Sequence, residues 1–60
     1  MSFTAAHTQA TAGTLSGSFY VDYINTVNEA LNTNYTSVEE AAAGWNNYIA
    51  GLESSSAVLA

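Results

Sequence analysis

At 60 residues, with no Lys, Arg or Cys, the chain has room for one small domain and lacks the groups needed for disulfides and thiolate metal sites. Five acids (Asp22, Glu29, Glu39, Glu40 and Glu53) and a single His give a formal charge of −5, which excludes autonomous nucleic-acid binding and attraction to anionic lipid. No apolar run approaches the ~20 residues of a bilayer span, and the first fifteen residues lack the basic and apolar regions of a Sec-type signal peptide.

In chain order, residues 1–17 are rich in Ser, Thr, Ala and Gly, with Phe3 and Leu15 as isolated apolar positions. This composition predicts a flexible arm without a helical stripe. His7 lies in that arm, with no nucleophile or carboxylate at a telling spacing, and is expected to be solvated.

The first predicted helix covers about 18–32. Ser18 is its expected N-cap, and Asp22 suits the positive end of the helix dipole. Tyr20, Ile24, Val27 and Leu31 recur at helical steps, flanked by Tyr23 and Ala30, while Asp22, Asn25, Glu29 and Asn32 share the opposite face. The β propensity of Phe19, Tyr20, Val21 and Tyr23 makes a short strand the competing reading. Asn32 or Asn34 is expected to close the helix in the left-handed conformation. Asn34-Tyr35-Thr36 matches the N-glycosylation triplet, a match expected by chance in a chain this rich in Asn, Ser and Thr.

The second predicted helix covers about 37–53. Thr36-Ser37-Val38-Glu39 has the form of a capping box, with Thr36 as N-cap. Val38, Ala42, Trp45, Ile49 and Leu52 then form the dominant apolar stripe. Ala43, Gly44, Asn47, Ala50, Gly51 and Ser54 make a second face of small side chains, suited to close backbone approach. The tail from Glu53 to Ala60 either extends the helix or frays. In composition alone, its Ser run and apolar end resemble the C-terminal export signals of type I secretion.

The fold expected is therefore all-α: an antiparallel two-helix hairpin over 18–60, preceded by the flexible arm at 1–17 and stabilised by oligomerisation. Two amphipathic helices meet along a seam and do not enclose a core, and a chain of this length buries only about 60% of its unfolded surface. Association is the remedy left when disulfides and metals are excluded. The expected assembly interface comprises Tyr20, Ile24, Val27, Leu31, Val38, Ala42, Gly44, Trp45, Ile49, Gly51 and Leu52.

No phosphate loop, metal-ligand spacing or nucleophile–base pair is present in the sequence. Glu39 and Glu40 read as a helix-start pair, and Asp22 with Glu29 as a solvated face. The expectation is a non-enzyme with no catalytic residues, no metal and no cofactor. The leading reading is a self-assembling structural protein, packed through amphipathic helices into a homo-oligomer or filament and placed outside the cell or at its surface. The alternative is a small acidic module, such as a virus-encoded inhibitor, docking on a basic host protein in the cytoplasm. A pigment- or haem-binding peptide using His7 or the aromatics ranks third.

Overall fold

A computed structural model describes the backbone of residues 2–59 and the side chains of 2–52. It contains three helices: α1 (Phe3–Ala12), α2 (Tyr20–Leu31) and α3 (Val38–Leu59), with a 3-10 turn at Gly17–Phe19 leading into α2. Among the described residues there is no strand, so the aromatic cluster at 19–23 is helical. The all-α expectation holds at that level, but the helix count does not. The segment expected to be a flexible arm contains α1.

Local chemistry accounts for α1. Ser2 caps its start: its Oγ accepts from the Ala5 N–H at 3.2 Å, and its carbonyl accepts from the Ala6 N–H at 3.0 Å. Between the ends lie Ala and Thr, and Ala is the best helix former. Thr8 Oγ1 donates to the Thr4 carbonyl and Thr11 Oγ1 to the Thr8 carbonyl, both at 2.9 Å, which satisfies hydroxyls that otherwise compete with the helix. Gly13 ends the helix at φ 76° and ψ 22°. Its N–H donates to Ala10 and that of Thr14 to Gln9, the paired bonds of a Schellman stop. Leu15 then turns inward and is buried.

At the start of α2 the structure departs from expectation by a turn. Ser18 does not cap the helix. It lies in the 3-10 turn, its hydroxyl 3.2 Å from that of Ser16, and α2 begins at Tyr20 without a side-chain cap. At the other end Asn32 adopts φ 54° and ψ 52°, as its side-chain chemistry predicts.

The connection to α3 is held by Asn28. Its Oδ1 accepts from the Tyr35 N–H at 2.8 Å and the Thr33 hydroxyl at 2.9 Å, while its Nδ2 donates to the Tyr35 carbonyl at 3.0 Å. One amide thus pins both backbone groups of a loop residue.

The cap of α3 falls on Ser37, one residue later than the expected Thr36. Ser37 Oγ accepts from the Glu40 N–H at 3.2 Å, and its carbonyl accepts from the Ala41 N–H at 3.0 Å. Ser37-Val38-Glu39-Glu40 fits the same capping pattern as the frame before it, and the hydrogen bonds select it. Thr36 instead donates its hydroxyl to Glu40 Oε1 at 3.4 Å.

The core is small: Ala10, Leu15, Tyr23, Val27, Ala41 and Ala42, with Phe3, Ala6, Ile24, Leu31, Tyr35, Val38 and Trp45 packed around it. The predicted stripes face this core except at Tyr20 and Leu52, and Tyr23 and Ala41 add to them. Tyr23, expected on the flank of α2, is only 2% exposed, whereas Tyr20 is 45% exposed. Ala41 joins Ala42 at the centre of α3's inner face. Gly44 is needed for close approach: a Cβ there would overlap the Tyr35 ring. The small-residue face does not act as one unit, because Ala43, Asn47, Ala50 and Gly51 face outward. The expectations for Ser54 and the rest of the tail concern side chains outside those described.

The molecule measures 41 × 21 × 17 Å. Its long axis reflects α3, whose 22 residues span about 33 Å, roughly twice the length of either other helix.

Candidate functional site

Two places gather functional chemistry. The first is the aromatic cluster where the three helices meet. His7 stands on α1 between α2 and α3. Its Nε2 faces Asn46 Oδ1 at 2.9 Å and its Nδ1 faces the Tyr23 hydroxyl at 2.7 Å. Since Asn46 Oδ1 can only accept, Nε2 carries the hydrogen, and Nδ1 accepts the Tyr23 O–H. Phe3 stacks on Tyr23 with ring centroids 5.5 Å apart and meets Trp45 edge-on at 4.9 Å. Burial raises the Tyr23 pKa above the ordinary phenol value of 10.0.

His7 is therefore not the solvated side chain expected from the sequence. Both ring nitrogens are engaged by neutral partners, the Tyr23 hydroxyl and the Asn46 amide, and no carboxylate orients the imidazole among the described residues. The arrangement joins three helices by directed bonds. Among the described residues, no three of His, Cys, Asp or Glu are grouped to hold a metal ion.

The second place is the apolar surface left uncovered. Among the described residues the exposed large hydrophobics are Phe19 at 36%, Tyr20 at 45%, Val21 at 66%, Tyr48 at 45% and Leu52 at 50%. They fall into two groups. Phe19, Tyr20 and Val21 sit where the 3-10 turn enters α2. Beside Tyr20 opens a groove of about 430 Å³, lined by apolar Ala10, Leu15, Ile24 and Val38 and by polar Thr36, Ser37 and Glu39. Tyr48 and Leu52 stand on α3 beyond Trp45, which packs against the core.

Comparison with protein-family descriptions, characterised proteins and solved structures gave no match. The site must therefore be read from its own geometry.

The residues expected at an assembly interface are distributed unevenly. Val27 and Ala42 lie inside the chain at 0% and 5% exposure. Ile24, Leu31, Val38 and Trp45 are partly buried against the core, Ile49 is partly buried, and Gly44 lies against Tyr35. Tyr20, Gly51 and Leu52 remain exposed. Val21 and Tyr48 join them, although neither lies on the predicted stripes. Val21 escapes sequence reading because it follows Tyr20 directly and belongs to no apolar period. Tyr48 carries a signal, being three residues after Trp45 and in contact with it at 5.4 Å between ring centroids. No helix among the described residues is long and apolar enough to cross a membrane.

Proposed function

We propose that this protein is a non-enzymatic, self-assembling structural subunit, joined to further copies through helical surfaces. The observation that carries the reading is the far part of α3. Beyond Trp45 it continues for 14 residues to Leu59, and among the described side chains of that part Tyr48 and Leu52 are about half exposed. An isolated helix of that length is marginal in water, and Gly51 within it costs about a further 1 kcal/mol against Ala. Such a helix gains its stability from packing, and the described residues leave these two side chains about half uncovered. A second copy supplies apolar cover without a new gene product. The alternative acidic-inhibitor reading has no comparable support, because the exposed features that stand out are apolar.

Light scattering of the purified protein, with negative-stain imaging, tests this. The expected result is a particle mass well above 6.3 kDa that falls on dilution. Leu52→Asp places a charge on the uncovered face and is expected to dissociate the assembly while the bundle stays helical. A monomer at all concentrations, or an assembly indifferent to Leu52→Asp, counts against the reading.

A further inference from the structure

We propose that Tyr23 is a one-electron donor whose proton is taken by His7, so that a diffusible one-electron oxidant leaves a neutral tyrosyl radical held at the junction of the three helices. This activity is independent of how copies assemble.

A phenol that loses an electron also loses its proton. In Tyr23 the O–H already points at an acceptor, His7 Nδ1 at 2.7 Å. Among the described residues, Tyr23 is the tyrosine whose hydroxyl meets a side-chain base. Charge then decides the route. Tyr23 is 2% exposed. Removing the electron first would leave a cation on the buried ring. Removing the proton first would leave a phenolate, which burial opposes. Moving electron and proton together keeps the ring neutral. The positive charge goes to His7, which is only partly buried and keeps its Nε2–H bonded to Asn46 Oδ1. The chain's formal charge of −5 favours a cation there.

In the balanced step one electron passes to the oxidant and the phenolic proton moves to Nδ1. The products are the tyrosyl radical, an imidazolium and the reduced oxidant. The hydrogen bond reverses, with Nδ1–H donating to the radical oxygen. A reductant that returns the electron draws the proton back from His7 and restores the phenol. Phe3 stacks on the Tyr23 ring with centroids 5.5 Å apart, so a ring from another chain is kept from coupling to it. Tyr20 and Tyr48, each 45% exposed, lack that protection and are open to dityrosine formation. Trp45 meets Phe3 edge-on at 4.9 Å and is the competing donor. Its radical absorbs at longer wavelength than tyrosyl and is read separately.

Flash photolysis of ruthenium(II) tris-bipyridine with persulfate supplies the oxidant, at about pH 8, where an ordinary imidazole is neutral. The wild-type chain is expected to form tyrosyl radical several-fold faster than Tyr23→Phe. Its rate should not depend on buffer base, because the acceptor is internal. In Tyr23→Phe the remaining tyrosines give their protons to solvent, so the slower rate should climb with buffer base. His7→Gln, whose amide takes no proton, should behave like Tyr23→Phe. Circular dichroism shows whether that variant keeps its helices. If it does not, electron paramagnetic resonance of the freeze-quenched wild type carries the test. The expected signal is one immobile ring with an exchangeable deuteron bonded to the radical oxygen; a mobile ring without that deuteron overturns the proposal. So does a wild-type rate that rises with buffer base, or a radical yield and rate unchanged by Tyr23→Phe.

Discussion

His7 and Tyr23 make a bond whose direction matters. The phenol donates to Nδ1, and its ring is almost wholly buried against Phe3. Ionising Tyr23 would put a negative charge in that position and remove the donated hydrogen. This is why burial pushes its pKa upward. In the unfolded chain the phenol loses its proton near the ordinary 10.0, while the native chain still holds it. Above that pH the unfolded state binds fewer protons, so stability falls as pH rises, by at most about 1.4 kcal/mol per pH unit for one group. Below it, this group gives no slope. The chain is well suited to the measurement, since it has no Lys, Arg or Cys to titrate alongside Tyr23. Thermal melts between about pH 9 and pH 11 should show a falling midpoint, and Tyr23→Phe should flatten the fall. That variant should also lose about 1 kcal/mol at neutral pH with the hydrogen bond to His7. Parallel pH curves for both proteins would assign the alkaline transition elsewhere.

At the scale of elements, α2 and α3 are legible because their inner faces carry large residues at helical spacing: Ile24, Val27 and Leu31 on one, Val38, Trp45 and Ile49 on the other. The inner face of α1 is Phe3, Ala6, His7 and Ala10, which has helical spacing but little apolar weight. Three of those four side chains are small or polar, so their burial depends on Tyr23 and Trp45 reaching across from other helices. Periodicity within the segment holds no record of that. Its punctuation does, since Ser2 and Gly13 bracket a run rich in Ala and Thr in the order N-cap and left-handed stop. The Asn28 clamp was illegible for another reason: side-chain bonds to a loop seven residues away have no period. Gly13 is the place to test whether α1 depends on its stop. A Cβ there meets nothing within 4 Å, so Gly13→Ala suffers only from its φ of 76°. The left-handed conformation costs a non-glycine residue about 1–2 kcal/mol. Urea unfolding followed at Trp45 should show a loss of that size. No change would mean that α1 ends elsewhere in solution.

The whole molecule has a thin interior. Of the six core residues among those described, Ala10, Ala41 and Ala42 are alanines, each burying little apolar surface. Against this, every residue ordered on folding costs of order 1–2 kcal/mol of backbone entropy. Among the described residues apolar surface remains uncovered at Tyr20, Val21, Tyr48 and Leu52, and under the assembly proposed above copies cover it and add stability that one chain lacks. Folding and association are then linked, and the melting temperature must depend on protein concentration. A domain of 60–100 residues shifts by about 4–8 °C per kcal/mol, so each tenfold rise in concentration should raise the midpoint by several degrees. Salt should act in the same direction. Every charged side chain assigned at neutral pH is acidic, so bringing copies together concentrates like charge, and screening weakens that repulsion. Melts from about 20 mM to about 500 mM NaCl should therefore move upward, most strongly at concentrations where the particle is partly dissociated. In most charged proteins salt weakens attractive pairs as well as repulsive ones; the absence of Lys and Arg leaves this chain almost none to weaken. A midpoint independent of both concentration and salt would mean that the alanine-rich core suffices for one chain by itself.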